Sequence, residues 1–313
     1  MEENGVYAVE AKGLKKIYGD FTAVDNIDLK IQKGTVYGFL GPNGAGKTTT
    51  VRMLATLLKI DGGHAKIFGL DLNKEGKKIK SKISLTGQFA SVDEDLTGME
   101  NLILVARLMG FSRKAAKDRA SELLTAFDLS DAAEKQAKDY SGGMRRRLDI
   151  AASIVVTPEL LFLDEPTTGL DPRSRNQVWD VVRILTQSGT TVLLTTQYLD
   201  EADQLADRIA VINHGKIIAE GTPGELKASV GNDVLHVGLK SESDNEKAKS
   251  MIRKYFQIEL LENHKKAELS MTLNNISIAT QVLDKFAEKG IEVISFSLSQ
   301  PSLDEVFLAL TAD

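Results

Sequence analysis

A glycine-rich run that leads directly into a lysine and two threonines constrains this chain more than any other feature. It comprises Gly41, Pro42, Asn43, Gly44, Ala45, Gly46, Lys47, Thr48 and Thr49. Residues 35–40 before it are β-prone, and residues 48–58 after it favour a helix. A strand, a glycine-rich turn and a helix in this order predict an α/β fold with a phosphate-binding loop.

The spacing within the run suits a chain of phosphates. Glycines allow successive backbone N–H groups to turn inward, and the following helix N-terminus adds partial positive charge. Lys47 is then placed to reach the β- and γ-phosphates of ATP, and the Thr48 hydroxyl is placed to ligate Mg²⁺. Thr49 joins the same nucleotide-binding set and is predicted to cap the helix. The alternative is a glycine-rich turn with a chance lysine.

A second buried strand is predicted at residues 160–163, where four apolar residues precede two carboxylates. Asp164 is placed to hold the Mg²⁺ shell. Glu165 is placed to polarise an attacking water as general base. Taken alone, these two carboxylates also fit a solvated turn at the end of a strand.

Two further motifs flank this strand: Tyr140-Ser141-Gly142-Gly143-Met144 before it and Gly169-Leu170-Asp171-Pro172 after it. The four segments, in order and spacing, resemble the ATP-binding cassette family over residues 6–225. The resemblance implies that Ser141, Gly142 and Gly143 cover the ATP held by the P-loop of a partner subunit. It also implies that Asp171 crosses the interface of a homodimer.

The resemblance assigns roles to two more positions. Tyr18 resembles the aromatic residue that stacks on adenine, because a ring offers an apolar platform to a purine. A tyrosine in the core on one sheet face is the alternative. Gln88 resembles the glutamine that contacts Mg²⁺ and water and links to the helical subdomain.

Gln197 departs from the family pattern, since most members carry a histidine at this switch position. Its amide can donate a hydrogen bond to the γ-phosphate but cannot become cationic. We therefore expect ATPase activity that survives with little pH dependence from this position. The alternative is a side chain that points to solvent.

Three segments, residues 140–150, 198–209 and 303–308, narrow the resemblance to the daunorubicin-resistance type of ABC exporter subunit. It implies an ATP-binding and ATP-hydrolysing subunit that powers a separate integral-membrane permease, exporting drugs or other amphipathic compounds. The implied location is the cytoplasmic face of the cell membrane, as a peripheral subunit.

Composition agrees with these expectations. The 313 residues include no cysteine, which suits a reducing compartment, and no apolar run approaches the roughly 18 residues that span a bilayer. Glu2 and Glu3 do not fit a signal peptide. The net charge of −5 lacks a basic footprint, so no nucleic-acid partner is expected.

Two domains are predicted. Residues 1–228 form the nucleotide-binding domain, a P-loop cassette with an antiparallel β subdomain and a helical subdomain at about 89–157. A groove near residues 88–104 is the hypothesised docking site for the permease, although its apolar stripe also fits a core-facing helix. Residues 229–313 show a βαββαβ pattern, which predicts a small ferredoxin-like α+β accessory domain.

A last helix is predicted at residues 302–310, with Ser302 and Glu305 as a capping box. Its apolar face either packs within its own domain or helps assembly by docking on the nucleotide-binding domain or a second subunit.

Two other functions stay open at this point. A non-transport ABC ATPase acting on ribosomes or nucleic acid is one, but such chains usually carry two cassettes or long coiled coils, whereas this one has a single P-loop and no sustained heptads. A scaffold that binds ATP without useful turnover is the other. Gln197 favours the scaffold, and the intact Asp164-Glu165 pair argues against it.

Overall fold

The computed structural model describes residues 6–87, 92–230, 234–256, 258, 260–261, 267–273, 277–299 and 302–311. The chain divides into two compact units, Met1–Thr222 and Pro223–Asp313. This division precedes the predicted boundary at 228, because the helix Pro223–Val230 contacts the C-terminal helix Leu303–Thr311 of the second unit.

An antiparallel sheet forms the β subdomain of the first unit. Its strands are β1 (Tyr7–Tyr18), β2 (Phe21–Gln32), β4 (Gly62–Ile67) and β5 (Leu70–Asp71), in the order β2-β1-β4-β5. Apolar residues of β1 and β2 alternate toward a shared core that includes Val9, Leu14 and Ile31. One face of this sheet is therefore buried, as expected for antiparallel strands.

The central sheet of the first unit has the order β10-β9-β3-β8-β7-β6. Its strands are β3 (Val36–Leu40), β6 (Ile83–Thr86), β7 (Leu160–Asp164), β8 (Thr191–Thr196), β9 (Arg208–Asn213) and β10 (Lys216–Gly221). All neighbours run parallel except β9 and β10. Every residue of β3, β7 and β8 is buried, which explains their unbroken apolar or threonine-rich sequences.

Parallel pairing decides where the chemistry collects. Strands β3, β7 and β8 are adjacent and end at one common edge, with Leu40 paired to Thr196 and Asp164 paired to Thr195. The glycine-rich loop, the two carboxylates and Gln197 directly follow these strand ends. Helices α1 (Lys47–Leu54), α6 (Pro172–Gln187) and α7 (Leu199–Leu205) continue the chain from this edge.

A helical subdomain lies in the chain between β6 and β7. After the short α2 (Gly76–Lys80), which precedes β6, come α3 (Gly98–Leu108), α4 (Arg113–Ala126) and α5 (Gly142–Ser153). The side chains of Thr97, Ser112 and Ser141 cap the last three helices. The predicted apolar stripe of α3 divides between two surroundings, because Leu102 is buried in the core whereas Leu108 is 76% exposed.

The second unit confirms the predicted βαββαβ order. It contains α8 (Pro223–Val230), β11 (Val234–Leu239), α9 (Asn245–Tyr255), β12 (Leu260–Leu261), β13 (Glu268–Thr272), α10 (Ser277–Glu288), β14 (Val293–Ser299) and α11 (Leu303–Thr311). The antiparallel sheet order β12-β13-β11-β14 places the first and third strands side by side in the centre. This order is the ferredoxin-like arrangement.

Helix α11 buries apolar side chains, whereas strand β14 exposes two large ones. The capping box of α11 forms as predicted: the Ser302 N–H donates to the Glu305 carboxylate at 2.7 Å, and the Glu305 N–H donates to the Ser302 hydroxyl at 3.2 Å. Leu303 and Val306 of α11 are buried. By contrast, Ile294 and Phe296 of β14, at one end of the sheet, are 68% and 64% exposed.

Candidate nucleotide-binding and catalytic site

The loop after β3 has a backbone that only glycine tolerates at two positions. A Cβ on Gly41 would lie 2.3 Å from the Ile212 carbonyl oxygen, and one on Gly46 would lie 2.5 Å from that of Ala23. Gly46 also has φ +106°, in the left-handed region that glycine adopts at little cost. These close approaches hold the loop tightly against its neighbours at the edge of the sheet.

The start of α1 corrects one prediction. Gly46 is the N-cap residue and Lys47 the first helical residue, so Thr49 lies inside the helix and is not its cap. The helix also ends at Leu54 rather than near residue 58, because Thr56 adopts φ +60°. Thr49 nevertheless lines the same cleft as the loop.

Lys47 is buried, with 4% of its surface exposed, and its ammonium group lies among oxygen acceptors. It donates to the carbonyls of Gly41 at 2.7 Å and Pro42 at 3.1 Å, and it lies 3.3 Å from a carboxylate oxygen of Glu165. Burial lowers the pKa of Lys47, while Glu165 and then Asp164 counteract that shift. The structure thus places a buried cation beside the predicted general base.

Glu165 adopts φ +50°, which is unusual for a residue with a side chain. Its N–H donates to the carbonyl and to the hydroxyl of Thr195, both at 3.1 Å, and this pairing holds the unusual backbone in place. The Thr168 hydroxyl donates to the Glu165 carboxylate at 3.3 Å. Strain of this kind costs on the order of 1–3 kcal/mol and commonly accumulates at active sites.

The Asp164 carboxylate accepts hydrogen bonds from two threonine hydroxyl groups. One of its carboxylate oxygens accepts from the Thr48 hydroxyl at 3.1 Å and from the Thr195 hydroxyl at 2.6 Å. Thr48 is the second residue of α1, after the phosphate-binding loop, whereas Asp164 ends the carboxylate strand. Closely spaced hydroxyl and carboxylate oxygens are the hard donors that Mg²⁺ prefers, so these residues fit the predicted metal.

A cleft of about 400 Å³ opens beside this cluster. Tyr18 and Phe21 line it together with Lys47, Thr48 and Glu165. Tyr18 is 49% exposed, so it is not the core tyrosine of the alternative interpretation. The sequence analysis missed Phe21, which pairs with Tyr18 across the turn between β1 and β2. Its place three residues after an aromatic candidate was the available signal.

Of the two predicted glutamines, the structure describes Gln197 but not Gln88. Gln197 directly follows β8, between the strand of the phosphate-binding loop and the strand of the carboxylates, and it is partly buried. Gln88 lies outside the described residues. The preceding residue, Gly87, follows β6, which pairs with the carboxylate strand β7.

The signature residues form a second corner, built from two helix starts. Ser141 caps α5 by accepting from the Met144 N–H at 3.2 Å, and Asp171 caps α6 by accepting from the Ser174 N–H at 3.0 Å. A Cβ on Gly143 would lie 2.3 Å from the Ser174 hydroxyl, so the two helix starts are in close contact. Ser141, Gly142, Gly143 and Asp171 are not among the described residues that line the cleft of about 400 Å³.

Asp171 and Ser174 are also joined by a hydroxyl–carboxylate hydrogen bond of 2.6 Å. The bonds from Ser174 lower the pKa of Asp171, so this carboxyl stays ionised near neutral pH. This corner therefore carries Ser141, Gly142 and the Asp171 carboxylate on the exposed surface, whereas Gly143 is buried against Ser174.

An ATP-binding cassette is the class that these features define, since a phosphate-binding loop, paired carboxylates and a separate serine-glycine corner occur on one parallel sheet with a helical insertion. The family model described as ABC transporter matches residues 24–168. The model described as ATP-binding protein DrrA1-3-like, C-terminal domain, matches residues 221–311.

Relatives extend the similarity to nearly the whole chain. The daunorubicin/doxorubicin resistance ATP-binding protein DrrA of Streptomyces peucetius is 57% identical over 304 residues, which cover 97% of this chain and 92% of that protein. The linearmycin resistance ATP-binding protein LnrL of Bacillus subtilis is 35% identical over 306 residues, covering 97% and 98%. The chain belongs to the ABC transporter family of ATP-binding subunits, ATPases coupled to transport, and carries a DrrA-like C-terminal domain.

Solved structures agree on the cassette. An ATP-binding cassette in a dimeric post-hydrolysis state, bound to ADP and phosphate, matches with a TM-score of 0.62 and 26% identity. The match covers 68% of this chain and 98% of that one. Among the residues that the structure describes, no helix combines the length and apolar character needed to cross a membrane.

Proposed function

We propose that this chain hydrolyses ATP to drive a separate integral-membrane permease that exports drugs or other amphipathic compounds. The observation that carries the ATPase part is the cluster of Lys47, Thr48, Asp164 and Glu165 at one sheet edge. The export part is supported by the resistance proteins to which the chain is similar over at least 97% of its length. Attachment to the permease would make it a peripheral subunit at the cytoplasmic face of the membrane.

In this proposal the Lys47 ammonium and the loop N–H groups bind the β- and γ-phosphates and neutralise developing charge. Thr48 and Asp164, joined by Gln88, would hold Mg²⁺, which supplies further charge neutralisation when bound. Glu165 accepts a proton from the attacking water, and its fixed backbone keeps the carboxylate aimed into the cleft. Gln197 donates an amide N–H to the γ-phosphate, and Tyr18, with Phe21 beside it, provides the adenine platform.

The complete site requires two copies of the chain. The cleft residues and the corner of Ser141, Gly142, Gly143 and Asp171 lie at different places on one molecule, so each corner is available to the cleft of a partner. The dimeric cassette to which the chain is similar gives a precedent for such a pair. Closure on two ATP molecules and reopening after hydrolysis would then move the attached permease subunits.

The permease is proposed to dock on the helical subdomain. Helix α3 exposes Leu104 and Leu108, followed by Met109, with exposed fractions of 45%, 76% and 61%. Leu104 and Leu108 are four positions apart and share one exposed face of α3, whereas Leu102 is buried on the other side of the helix. A cytoplasmic helix of a membrane protein presents the kind of apolar face that such a surface binds.

A pull-down of tagged Glu165→Gln protein from detergent-solubilised native membranes with Mg-ATP tests this proposal. We expect a multispanning membrane protein to co-purify and to be lost when Leu104 and Leu108 are both changed to Ser. The matched control changes the exposed Ile184 of α6 to Ser and should retain the partner. Recovery of ribosomal proteins or nucleic acid without a membrane component would overturn the transport function and leave the ATPase.

A further inference from the structure

Arg146 of helix α5 is a buried cation that the predicted site does not use. Its side chain lies among backbone carbonyls from two different strand ends. Nε donates to the Pro166 carbonyl at 2.8 Å, and Nη1 donates to the Gly87 carbonyl at 2.6 Å. Nη2 donates to the Asp164 carbonyl at 3.4 Å.

Each contacted segment belongs to the nucleotide edge of the sheet. Asp164 and Pro166 lie on either side of Glu165, and Gly87 directly precedes Gln88. Arg146 itself lies in the second turn of the helix that Ser141 caps. One guanidinium therefore connects the residues on either side of the general base, Gly87 directly after β6 and the signature helix within a single subunit.

The surroundings hold this guanidinium charged and fixed. Arg146 is 9% exposed and pairs with the buried Asp149 carboxylate at 3.2 Å. Burial lowers its pKa, whereas Asp149, Asp164 and Glu201 oppose the shift, and an arginine side chain stays protonated in proteins. Its planar fork can satisfy several carbonyls in one geometry, which a lysine ammonium on a flexible stem cannot reproduce.

The next residue, Arg147, makes a natural comparison. It is also buried, with 6% exposure, and it also donates to two backbone carbonyls, those of Phe127 at 2.6 Å and Asp128 at 3.1 Å. Both acceptors lie just after α4 in the helical subdomain. Arg147 fastens α5 to its own subdomain, whereas Arg146 fastens the same helix to the nucleotide edge.

We propose that Arg146 is a positioning residue that couples the nucleotide state of two segments, the one around Glu165 and the one that ends at Gly87, to the orientation of the signature helix in the same subunit. This inference rests on the proposed two-subunit function. When phosphates move either segment, a carbonyl bonded to Arg146 moves with it, and α5 follows. Because Ser141 of that helix covers the ATP of the partner, occupancy of one site then prepares the other site.

The test is hydrogen exchange of α5 amides with and without saturating Mg-ATP, measured on Glu165→Gln protein. The protein is kept dilute enough for light scattering to show a monomer. We expect ATP to slow exchange in α5, and Arg146→Lys added to this background to remove most of that ATP-dependent protection, roughly a tenfold effect. Affinity for a fluorescent ATP analogue should stay within about threefold, because Lys47 and the loop are intact. Arg147→Lys is the matched control and should keep the ATP-dependent protection.

The outcomes separate the two proposals. Full ATP-dependent protection in Arg146→Lys protein with normal ATP affinity would overturn the coupling and leave the ATPase function in place. The same conclusion would follow if both lysine variants lost the protection equally, or if the Glu165→Gln reference showed no ATP-dependent protection. Failure of that reference to bind ATP would overturn both proposals. If Arg146→Lys does not fold, the double variant Arg146→Gln/Asp149→Asn removes both buried charges together and gives the same readout.

Discussion

The two halves of the candidate site are built in different ways. At the cleft, Lys47 and Asp164 are each 4% exposed, and Glu165 is 9% exposed. They are held by bonds between residues that are far apart in the sequence, such as Thr48 with Asp164. At the signature corner, Ser141 and Asp171 are exposed and bond to residues three positions away. The cleft is thus fixed by the tertiary fold, whereas the corner is a local structure that a second molecule can reach.

This difference implies that the interactions of the two halves contribute differently to stability. A buried ion pair such as Lys47 with Glu165 is costly to break, because removal of one partner leaves an uncompensated charge in a dry site. Exposed helix caps contribute only about 1 kcal/mol each to stability. Changes in the cleft should therefore alter chemistry within one chain, while changes at the corner should alter chemistry in its partner.

The largest effect is expected from Glu165→Gln, which keeps the shape of the side chain and removes the base. Turnover should fall by about 10²- to 10⁴-fold, the usual contribution of general base catalysis, while ATP binding is retained. Phosphate release and binding of a fluorescent ATP analogue measure the two quantities. Glu159→Gln, an exposed carboxylate just before the same strand, is the control and should behave like wild type. Near wild-type turnover in Glu165→Gln would remove this residue from the role of principal base.

A mixing experiment tests the division into halves. Lys47→Ala damages only the cleft, and Ser141→Arg damages only the corner, so each purified variant should lose at least about tenfold in turnover. An equimolar mixture should recover about a quarter of wild-type activity, because half of the random dimers contain one intact composite site. No recovery at any ratio would show that one chain completes its own site.

The aromatic wall of the cleft should contribute to affinity rather than to chemistry. Loss of a base-stacking ring costs about 1–3 kcal/mol, so Tyr18→Ala should raise the KM for ATP by about fivefold or more with little change in kcat. The KM of Phe21→Ala shows whether the second ring also contributes to ATP affinity. Tyr7→Ala, at the opposite end of β1, is the control. An unchanged KM in both cleft variants would assign adenine binding elsewhere.

Gln197→His should change turnover by a few-fold at most, in a pH-dependent way. A histidine with an ordinary pKa near 6.5 becomes cationic as the pH falls, and the cation donates more strongly to the γ-phosphate. The enhancement over wild type should therefore grow as the pH is lowered through about 6.5. Parallel pH–rate profiles of the two proteins would contradict a γ-phosphate contact at this position.

The smallest effect is expected in the C-terminal unit, outside both halves of the candidate site. Ser302→Ala removes the cap of α11 and should destabilise the second unit by about 1 kcal/mol without changing ATP hydrolysis. Chemical denaturation followed through that unit measures the loss, and Ser277→Ala, at the start of α10, offers a second helix start for comparison. A change in ATPase rate would link the C-terminal unit to the site.

The sequence predicts those features whose residues are close together in the chain or follow adjacent parallel strands. The loop at Gly41, the carboxylates after β7 and the βαββαβ pattern all have short-range signatures, and parallel pairing then brings the strand ends together. Arg146 carries no such signature, and Phe21 carries only a weak one, its place three residues after Tyr18. Contacts of Arg146 with Gly87 and Pro166 span 59 and 20 positions, so only the folded chain reveals them. Thr49 failed as a cap because Gly46, in the left-handed region, starts the helix earlier.

The last strand of the second unit has a practical consequence for handling this protein. Residues 294–299 alternate apolar and serine side chains with no charge, proline or glycine, and Ile294 and Phe296 lie exposed at one end of the sheet. Uncharged edge strands of this composition are templates for cross-β stacking. Preparations of the C-terminal unit on its own should therefore precipitate on concentration, and a lysine in place of Phe296 should keep them clear.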